Sequence, residues 1–238
     1  MTCEPETGME PPPYLVPHSR ESIRILYADD SLLIIDKPHL LLSVPGRHPL
    51  NRDSLISRLE HRFPGVAAAH RLDLDTSGIL VVPKDKATLV ALNQQFQERA
   101  VLKTYQALVY GEVRDDEGEI DLPIIKDWHN RPKQKICAET GKPSLTHYRV
   151  LDRLPNRSLL ELKPITGRSH QLRIHLMALG HPIMGCDLYA HEDAFSASPR
   201  LLLHACELTF QHPLTKGLLR AYSPAPFDVK GLFTSRPG

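Results

Sequence analysis

The side chains best suited to chemistry lie together in one short segment, residues 70–78, which reads His-Arg-Leu-Asp-Leu-Asp-Thr-Ser-Gly. It contains two carboxylates, Asp73 and Asp75, together with an arginine and two hydroxyl groups. The apolar run 79–82 that follows has the length and β-branched content of a buried strand, so we expect the polar segment to be a loop fixed to a sheet. An aspartate held in such a loop can act as a nucleophile or a base. Residue types alone leave hydrolase, isomerase and structural roles open.

The two carboxylates permit two interpretations of this loop. Because Asp73 and Asp75 are separated by a single residue, they could form the acid–base pair of a hydrolytic glycosidase. Alternatively, Asp73 acts alone and Asp75 is a solvated or loop-capping side chain.

The segments around this loop predict an α+β domain with a mostly antiparallel or mixed sheet, because strands occur in hairpin runs with helices between them. Apolar and β-branched runs predict strands at 23–26, 32–36, 101–110, 145–151, 158–163, 201–210 and 218–222. Helical spacing and capping residues predict helices from Asp53 or Ser54 to Phe63, from Asp85 to Arg99 and from Ser169 to Leu179.

The chain has 238 residues, which is enough for one domain with a substantial core. Residues 1–20 are rich in proline and predict a disordered or extended lead-in without a targeting signal. Residues 21–238 contain no linker-like stretch, so we expect them to form a single domain.

The composition argues against several classes of protein. No apolar run approaches the ~20 residues that span a membrane. The four cysteines are scattered without a Cys-x-x-Cys pair, which is typical of reduced thiols in a cytoplasmic protein. The histidines show no paired metal-ligand spacing; His170 and His175, for example, are too far apart in sequence to share a helix face. We therefore expect no membrane span and no metal site.

The distribution of charge is more informative than the net charge of +1. Residues 126–149 contain six basic and two acidic side chains, whereas residues 112–121 contain six acidic side chains and one basic one. A basic stretch beside an acidic one could present a positive face to a phosphate backbone, although an ordinary mixed surface would have the same composition.

Residues 70–78 resemble the catalytic motif of the RluA-type pseudouridine synthases, His-Arg-Leu-Asp-x-x-Thr-Ser-Gly. Further blocks of that family are matched in the same order along most of the chain. They are Lys37-Pro38 with 41–46, Lys103-Thr104-Tyr105, 164–173, 180–186 and 201–205. One departure is that His39-Leu40 stands where a Ser-Gly pair is usual.

The resemblance implies the pseudouridine synthase fold, a single domain with a long mixed or mostly antiparallel sheet, a central catalytic cleft and flanking helices. It implies an isomerase that converts uridine in RNA to pseudouridine, with neither metal nor cofactor. Many relatives also carry an N-terminal RNA-binding domain. Because the first strand is predicted at residue 23, we do not expect that accessory domain here.

By the same resemblance, Asp73 is the catalytic aspartate and Arg168 is its charge partner. A carboxylate in a dry pocket needs such a partner because burial favours its neutral form. The position of Asp75 is variable in the family, so we expect Asp75 to be incidental to the reaction.

The resemblance assigns four further residues to the substrate. Tyr105 would stack on the target base or help to remove its C5 proton. Arg71 would contact the RNA or fill the space left by a flipped base, since the target must leave its stack before it can react. Leu203 and Ile79 would form walls of the pocket.

The stretch 127–143 is similar to one bacterial member of the family with dual specificity for 23S ribosomal RNA and tRNA. This similarity predicts RNA, not DNA, as the partner, with uridines in a ribosomal hairpin and in the tRNA anticodon stem-loop as substrates. An enzyme restricted to tRNA and a non-catalytic RNA-binding module are the alternatives. The module would have lost Asp73, Tyr105 or Arg168, and the chain has all three. We expect a cytoplasmic monomer.

Overall fold

The computed structural model describes residues 15–17 and 19–227. The lead-in predicted for residues 1–20 falls mainly outside these ranges. Where it is described, Ser19 is buried and its carbonyl accepts a hydrogen bond from Arg58. In the described ranges, no helix is both long and apolar enough to cross a membrane.

Strands occur in runs along the described chain, with helices inserted between the runs. The strands are β1 (Arg24–Ala28), β2 (Leu32–Lys37), β3 (Ser77–Pro83), β4 (Leu102–Tyr110), β5 (Glu117–Asp121), β6 (Ile124–Lys126), β7 (Gln134–Ile136), β8 (Leu145–Leu154), β9 (Arg157–Pro164), β10 (Leu203–Gln211) and β11 (Leu218–Tyr222). The helices are α1 (Leu55–Glu60), α2 (Lys86–Gln97), α3 (Gln171–Ala178) and α4 (Glu192–Ser196), with one 3-10 turn at Pro49–Asn51.

Most strands form one sheet with the order β1-β2-β3-β10-β4-β9-β8-β5, and β11 also pairs with β10. Among the described strands of this sheet, neighbours are antiparallel except β3 and β10, which run parallel at Ser77–His204 and Gly78–Ala205. Strands β6 and β7 form a separate two-stranded hairpin. The α+β class and the mixed, mostly antiparallel sheet that the sequence predicts are confirmed.

Residues 32–35 of β2 and 79–82 of β3 are all apolar because both faces of the sheet are covered there. Leu80 packs in the cluster that includes the apolar side chains of α1, whereas Ile79 and Val81 pack with Leu92 of α2. Successive residues of a strand point to opposite faces, so both sets are needed. The structure therefore places Ile79 in the core beside α2, and not in a pocket wall with Leu203.

Some helix boundaries differ from the sequence prediction because of the backbone geometry, and some strands are not predicted because their composition is polar. Helix α3 begins two residues later than expected because His170 has left-handed backbone angles, with φ of 56°. Helix α1 ends at Glu60, before the expected Phe63. The apolar pattern misses β5, an acidic strand at the sheet edge, where charged side chains discourage pairing with other chains. It also misses the short elements β6, β7 and α4.

The parallel contact between β3 and β10 requires a glycine. Gly78 has φ of +120°, and a Cβ atom added there would lie 2.3 Å from the carbonyl oxygen of Ala205. Residues with a side chain rarely adopt this φ, and such a short contact would force the two backbones apart. Because residues 70–76, which we call the polar loop, lead directly into β3, this contact fixes one end of the loop.

We predict that Gly78→Ala lowers the free energy of unfolding by at least about 2 kcal/mol, since it adds backbone strain and separates β3 from β10. Chemical denaturation followed by circular dichroism measures this change. Gly217→Ala is the matched control, because its methyl group would meet Thr215 Oγ1 at an ordinary 3.6 Å. We expect the control to change the stability by less than about 1 kcal/mol. Equal stability of the two variants would contradict this account of the strand contact.

Candidate active site

The polar loop is fixed by hydrogen bonds to its backbone. Ser43 Oγ donates to the carbonyl of Leu72 (2.7 Å) and accepts from the N–H of the same residue (3.1 Å). Lys37 Nζ donates to the carbonyl of Leu74 at 3.2 Å. These bonds hold the backbone on both sides of Asp73, so the position of its carboxylate is set by the sheet and not by the loop alone.

Lys37 is fully buried, although lysine side chains are usually exposed. Its Nζ also donates to the carbonyls of Pro38 (2.9 Å) and Leu41 (2.8 Å), so that all three ammonium hydrogens have an acceptor. Burial lowers the pKa of Lys37 to about 7, and the charges of Asp73 and Asp75 oppose this shift. The three carbonyl acceptors suit the protonated form of Lys37, which places positive charge within Coulombic reach of both carboxylates.

The turn that brings these carbonyls to Lys37 has an unusual backbone. Leu40 has φ of 55°, in the left-handed region that favours glycine. It belongs to the His39-Leu40 pair that replaces the usual Ser-Gly. The chain thus keeps the turn with a leucine, at a cost in backbone strain of about 1–2 kcal/mol.

A cleft of about 920 Å³ runs along the polar loop, and a recess of about 90 Å³ shares several of its lining residues. The cleft is also lined by parts of β4, the β6–β7 hairpin and the turn before α3. Five of the residues to which the resemblance assigns a role line the recess: Arg71, Asp73, Tyr105, Arg168 and Leu203. They come from the polar loop, β4, the turn before α3 and β10, so only folding brings them together.

Tyr105 and Leu203 lie on neighbouring strands near the middle of the sheet. Tyr105 on β4 is opposite Ala205 on one side and Leu162 on the other, and Leu203 on β10 is buried. Burial raises the pKa of the Tyr105 phenol, and the nearby charge of Asp73 raises it further. The recess therefore offers a neutral aromatic ring and an apolar wall beside a carboxylate.

Arg168 lines the recess, but its guanidinium is directed elsewhere. The side chain is exposed, its Nε donates to the carbonyl of Pro143 (3.3 Å), and its backbone N–H donates to Gln171 Oε1 (3.0 Å). Among the described residues, Arg168 makes no ion pair with Asp73. The pairing expected from the resemblance is therefore not seen, because the turn before α3 leaves this side chain at the surface.

The buried cation beside the polar loop is Arg173 on α3. Its side chain is 1% exposed, one terminal nitrogen lies 3.6 Å from Asp75 Oδ2, and the other donates to Asp187 Oδ1. Its Nε and a terminal nitrogen each lie 3.3 Å from Cys186 Sγ. Burial alone would lower the pKa of Arg173, but Cys186 and the charge of Asp73 outweigh it and the pKa is raised. Arg173 thus stays charged within Coulombic reach of Asp73.

Asp75 is consequently not the solvated side chain that the sequence suggests. Its side chain is 22% exposed and is paired with Arg173. Burial raises the pKa of the Asp75 carboxyl, whereas Arg173 acts in the opposite direction. The sequence signal for this pair is an arginine within the apolar helical run 172–176, because a buried charge needs a partner.

A family model described as RNA pseudouridylate synthase matches residues 31–178, which is more than half of the chain. The chain belongs to this family. The matched range includes the polar loop, Tyr105, Arg168 and Arg173. Pseudouridine synthases are isomerases, so this synthase is an RNA-modifying isomerase.

Individual relatives agree with this assignment. The synthase is 50% identical over 204 residues to the dual-specificity RNA pseudouridine synthase RluA of Pasteurella multocida, which covers 85% of this chain and 93% of the relative. It is 49% identical, with the same coverage, to the protein of that name from Escherichia coli strain K12. Among solved structures, human RNA pseudouridylate synthase domain containing 1 is similar, with 33% identity, a TM-score of 0.72, and coverage of 89% of this chain and 86% of that one.

His70, at the start of the polar loop, serves as a neutral hydrogen-bond acceptor. Its Nε2 accepts the backbone N–H of Val81 at 3.1 Å, and its ring packs 4.6 Å from the Phe96 ring, measured between centroids. Burial, with a smaller contribution from the Lys103 charge, lowers the pKa of His70 from 6.5 to about 3. Protonation of Nε2 would break the bond to β3.

We predict that the synthase loses stability on acidification from pH 6.5 towards pH 3, in part because of His70. In this window the unfolded chain binds a proton at His70 and the folded chain does not, so each pH unit lowers the free energy of unfolding by up to about 1.4 kcal/mol. His70→Gln is the comparison, since the glutamine Oε1 can accept the Val81 N–H without titrating. Urea unfolding across this pH range should give a shallower slope for the variant. Identical slopes would show that His70 does not contribute.

Proposed function

We propose that this synthase converts specific uridines to pseudouridine in RNA hairpin loops, in both 23S ribosomal RNA and the tRNA anticodon stem-loop. The relatives from Pasteurella multocida and Escherichia coli are named dual-specificity enzymes, and the stretch 127–143 is similar in sequence to such an enzyme. The observation that carries the proposal is the recess that combines the Asp73 carboxylate with the neutral ring of Tyr105. A flat aromatic ring suits stacking on a base, and a carboxylate beside it suits chemistry at the ribose carbon to which that base is attached.

In the proposed reaction, the bond between uracil N1 and ribose C1′ breaks, the uracil turns, and C5 bonds to C1′. The C5 proton is lost and N1 gains a proton, so the product is an isomer of the substrate. Asp73 acts as the nucleophile or stabilises the positive charge that develops in the transition state, while Tyr105 stacks on the uracil. The steps involve no net oxidation or reduction, so we propose that they need neither metal nor cofactor.

The cations of the site have two separate roles in this proposal. Arg173 and Lys37 are buried within Coulombic reach of Asp73 and place positive charge beside the polar loop in the absence of RNA. Arg71 and Arg168 are exposed at the cleft, where they can contact phosphates. Arg71 follows directly after His70 in the polar loop, so it is also placed to fill the space left by a flipped base.

The β6–β7 hairpin is the proposed second contact with RNA. Between its strands, the exposed ring of Trp128 lies 4.4 Å from Lys126 Nζ and 4.3 Å from the guanidinium carbon of Arg131. Pro132 and Gln134 of the same hairpin line the cleft. An aromatic ring flanked by cations suits an unpaired base and its phosphate, which are the features of an RNA loop.

The organisation of the chain supports a self-contained enzyme. The cleft is lined by residues between Leu42 and His170, and the core clusters of the described residues lie along one sheet. We therefore propose one catalytic domain over residues 21–238, acting as a monomer in the cytoplasm, where ribosomal RNA and tRNA are found.

We predict that Asp73→Asn lowers the isomerisation rate by at least about a thousandfold, because an amide cannot act as the nucleophile. Asp75→Asn is the matched control. It keeps the shape of the side chain, and Asp187 remains as a partner for Arg173, so we expect a loss within about tenfold. Release of tritium from C5-labelled uridine measures the rate.

Both variants and the wild-type enzyme should be assayed on a 23S ribosomal hairpin transcript and on an anticodon stem-loop. Equal losses in the two variants, with release of free uracil, would favour the paired-carboxylate hydrolase. Activity on the stem-loop alone would overturn dual specificity in favour of a tRNA enzyme. No pseudouridine in either RNA would contradict the proposed function.

We predict that Trp128→Ala weakens binding of the stem-loop about tenfold to a hundredfold, since stacking on one base contributes about 1–3 kcal/mol. Arg131→Ala should reduce the slope of log affinity against log salt concentration by about one, because one phosphate contact is lost. Lys86→Ala, an exposed change on α2 away from the cleft, should alter neither quantity. Fluorescence anisotropy at several salt concentrations measures both. Wild-type binding by the Trp128 and Arg131 variants would exclude the hairpin as an RNA contact.

A further inference from the structure

A chain of hydrogen bonds connects the β6–β7 hairpin to the cleft through Tyr189. The backbone N–H of Gln134 donates to the Tyr189 hydroxyl oxygen at 2.8 Å, and the same oxygen lies 2.7 Å from Nδ1 of His170. A hydroxyl has one hydrogen, and because the Tyr189 oxygen accepts from Gln134, its own hydrogen is available for a bond to His170. All three groups are satisfied when Tyr189 donates to Nδ1, so the neutral imidazole carries its proton on Nε2.

The backbone also fixes the direction of His170. Its φ of 56° and ψ of 15° are left-handed, and its side chain makes no capping bond to α3. The imidazole instead lines both the cleft and the recess that contains Asp73. Non-glycine residues hold such angles at a cost, and they are often found at functional sites. The strained backbone and the bond to Tyr189 together aim this ring.

The surroundings of His170 keep the ring neutral and leave one nitrogen available. Burial lowers its pKa below the ordinary 6.5, with Asp73 and Asp187 opposing the shift and Arg173 adding to it. Among the described residues, Nε2 has no hydrogen-bond partner. A neutral N–H donor therefore faces the space in which the target nucleotide would lie.

We propose that His170 binds the substrate by donating from Nε2 to an oxygen of the flipped nucleotide, and that Tyr189 is the positioning residue that holds this donor in the correct tautomer. The inference rests on the proposed function, because it places an RNA nucleotide in the cleft. The acceptor is either a uracil carbonyl or a phosphate oxygen of that nucleotide. Since Tyr189 also accepts from Gln134, the direction of the donor is tied to the position of the RNA-binding hairpin.

The tautomer is tested without RNA, by NMR of the full-length enzyme labelled with ¹⁵N-histidine. The wild-type His170 signal, identified by its loss in His170→Asn, should show a protonated Nε2 and an unprotonated Nδ1. Tyr189→Phe should convert it to a mixture of tautomers, whereas Tyr222→Phe, at an exposed site on β11, should leave it unchanged. A protonated Nδ1 in the wild type, or an unchanged signal in Tyr189→Phe, would overturn the positioning role.

The role of His170 as a hydrogen-bond donor is tested by two substitutions that place an amide nitrogen at different positions. The amide nitrogen of His170→Gln can occupy the place of Nε2, whereas that of His170→Asn reaches only the place of Nδ1. We compare the two variants in single-turnover isomerisation at saturating stem-loop RNA. We expect His170→Gln to retain activity within about tenfold of wild type, and His170→Asn to be slower than His170→Gln by about a further tenfold to a hundredfold. Asparagine tolerates left-handed angles, so misfolding would not explain its loss. Equal activity of the two variants would overturn the donor role.

Two further measurements complete the test. Tyr189→Phe should slow the same step, and combining it with His170→Asn should cost no more than His170→Asn alone, since both changes remove one interaction. Additive losses would contradict the link. Sulfur can replace an oxygen of the target nucleotide at its phosphate, at uracil O4 or at uracil O2. At one of these sites only, we expect the replacement to slow the wild-type enzyme and to leave the rate of His170→Asn unchanged. That site is the acceptor. Insensitivity at all of them would overturn the proposal. An inactive wild type would instead refute the proposed function, while the NMR result would still stand on its own.

Discussion

Two buried cations determine where the polar loop can lie. Lys37 and Arg173 are almost completely removed from solvent, and a charge in such a place must be compensated by nearby groups. Lys37 is satisfied by backbone carbonyls, one of which belongs to the loop, and Arg173 by the carboxylates of Asp75 and Asp187. The loop therefore supplies partners to both cations. Asp73 directly precedes these partners in the sequence, so its carboxylate is held in a positive field.

This arrangement separates charge compensation from RNA binding. Lys37 and Arg173, the cations beside the polar loop, are buried and held by several partners, so their positions do not depend on the substrate. The exposed Arg71 and Arg168 line the cleft, so they can bind phosphates without removing a charge from beside the carboxylate. An RNA that binds poorly would therefore lose contacts at the surface while the buried charges around the loop stay in place.

The polar loop and its strand could be predicted from the sequence because a short β-branched run after a polar segment has few other structures. Helix α2 likewise begins after Asp85, as its capping side chain indicates. The resemblance points to Arg168 as the charge partner of Asp73, and only the apolar run around Arg173 indicates that the buried cation lies there instead. Both Arg168 and Arg173 lie near the start of α3, and which of them is buried depends on the left-handed backbone of His170. That angle is a result of tertiary packing and leaves no periodic signal in the sequence.

The pairing of β3 with β10 also affects when the enzyme can become active. Ser77, directly after the loop, bonds to His204 at 2.9 Å across 127 residues of sequence. On the ribosome, Asp73 emerges long before the strand that completes the environment of its loop. A nascent chain therefore carries Asp73 without an assembled cleft, and the cleft is completed only when β10 has been synthesised and inserted between β3 and β4. The topology of the sheet thus delays assembly of the cleft until more than a hundred residues beyond the polar loop have been translated.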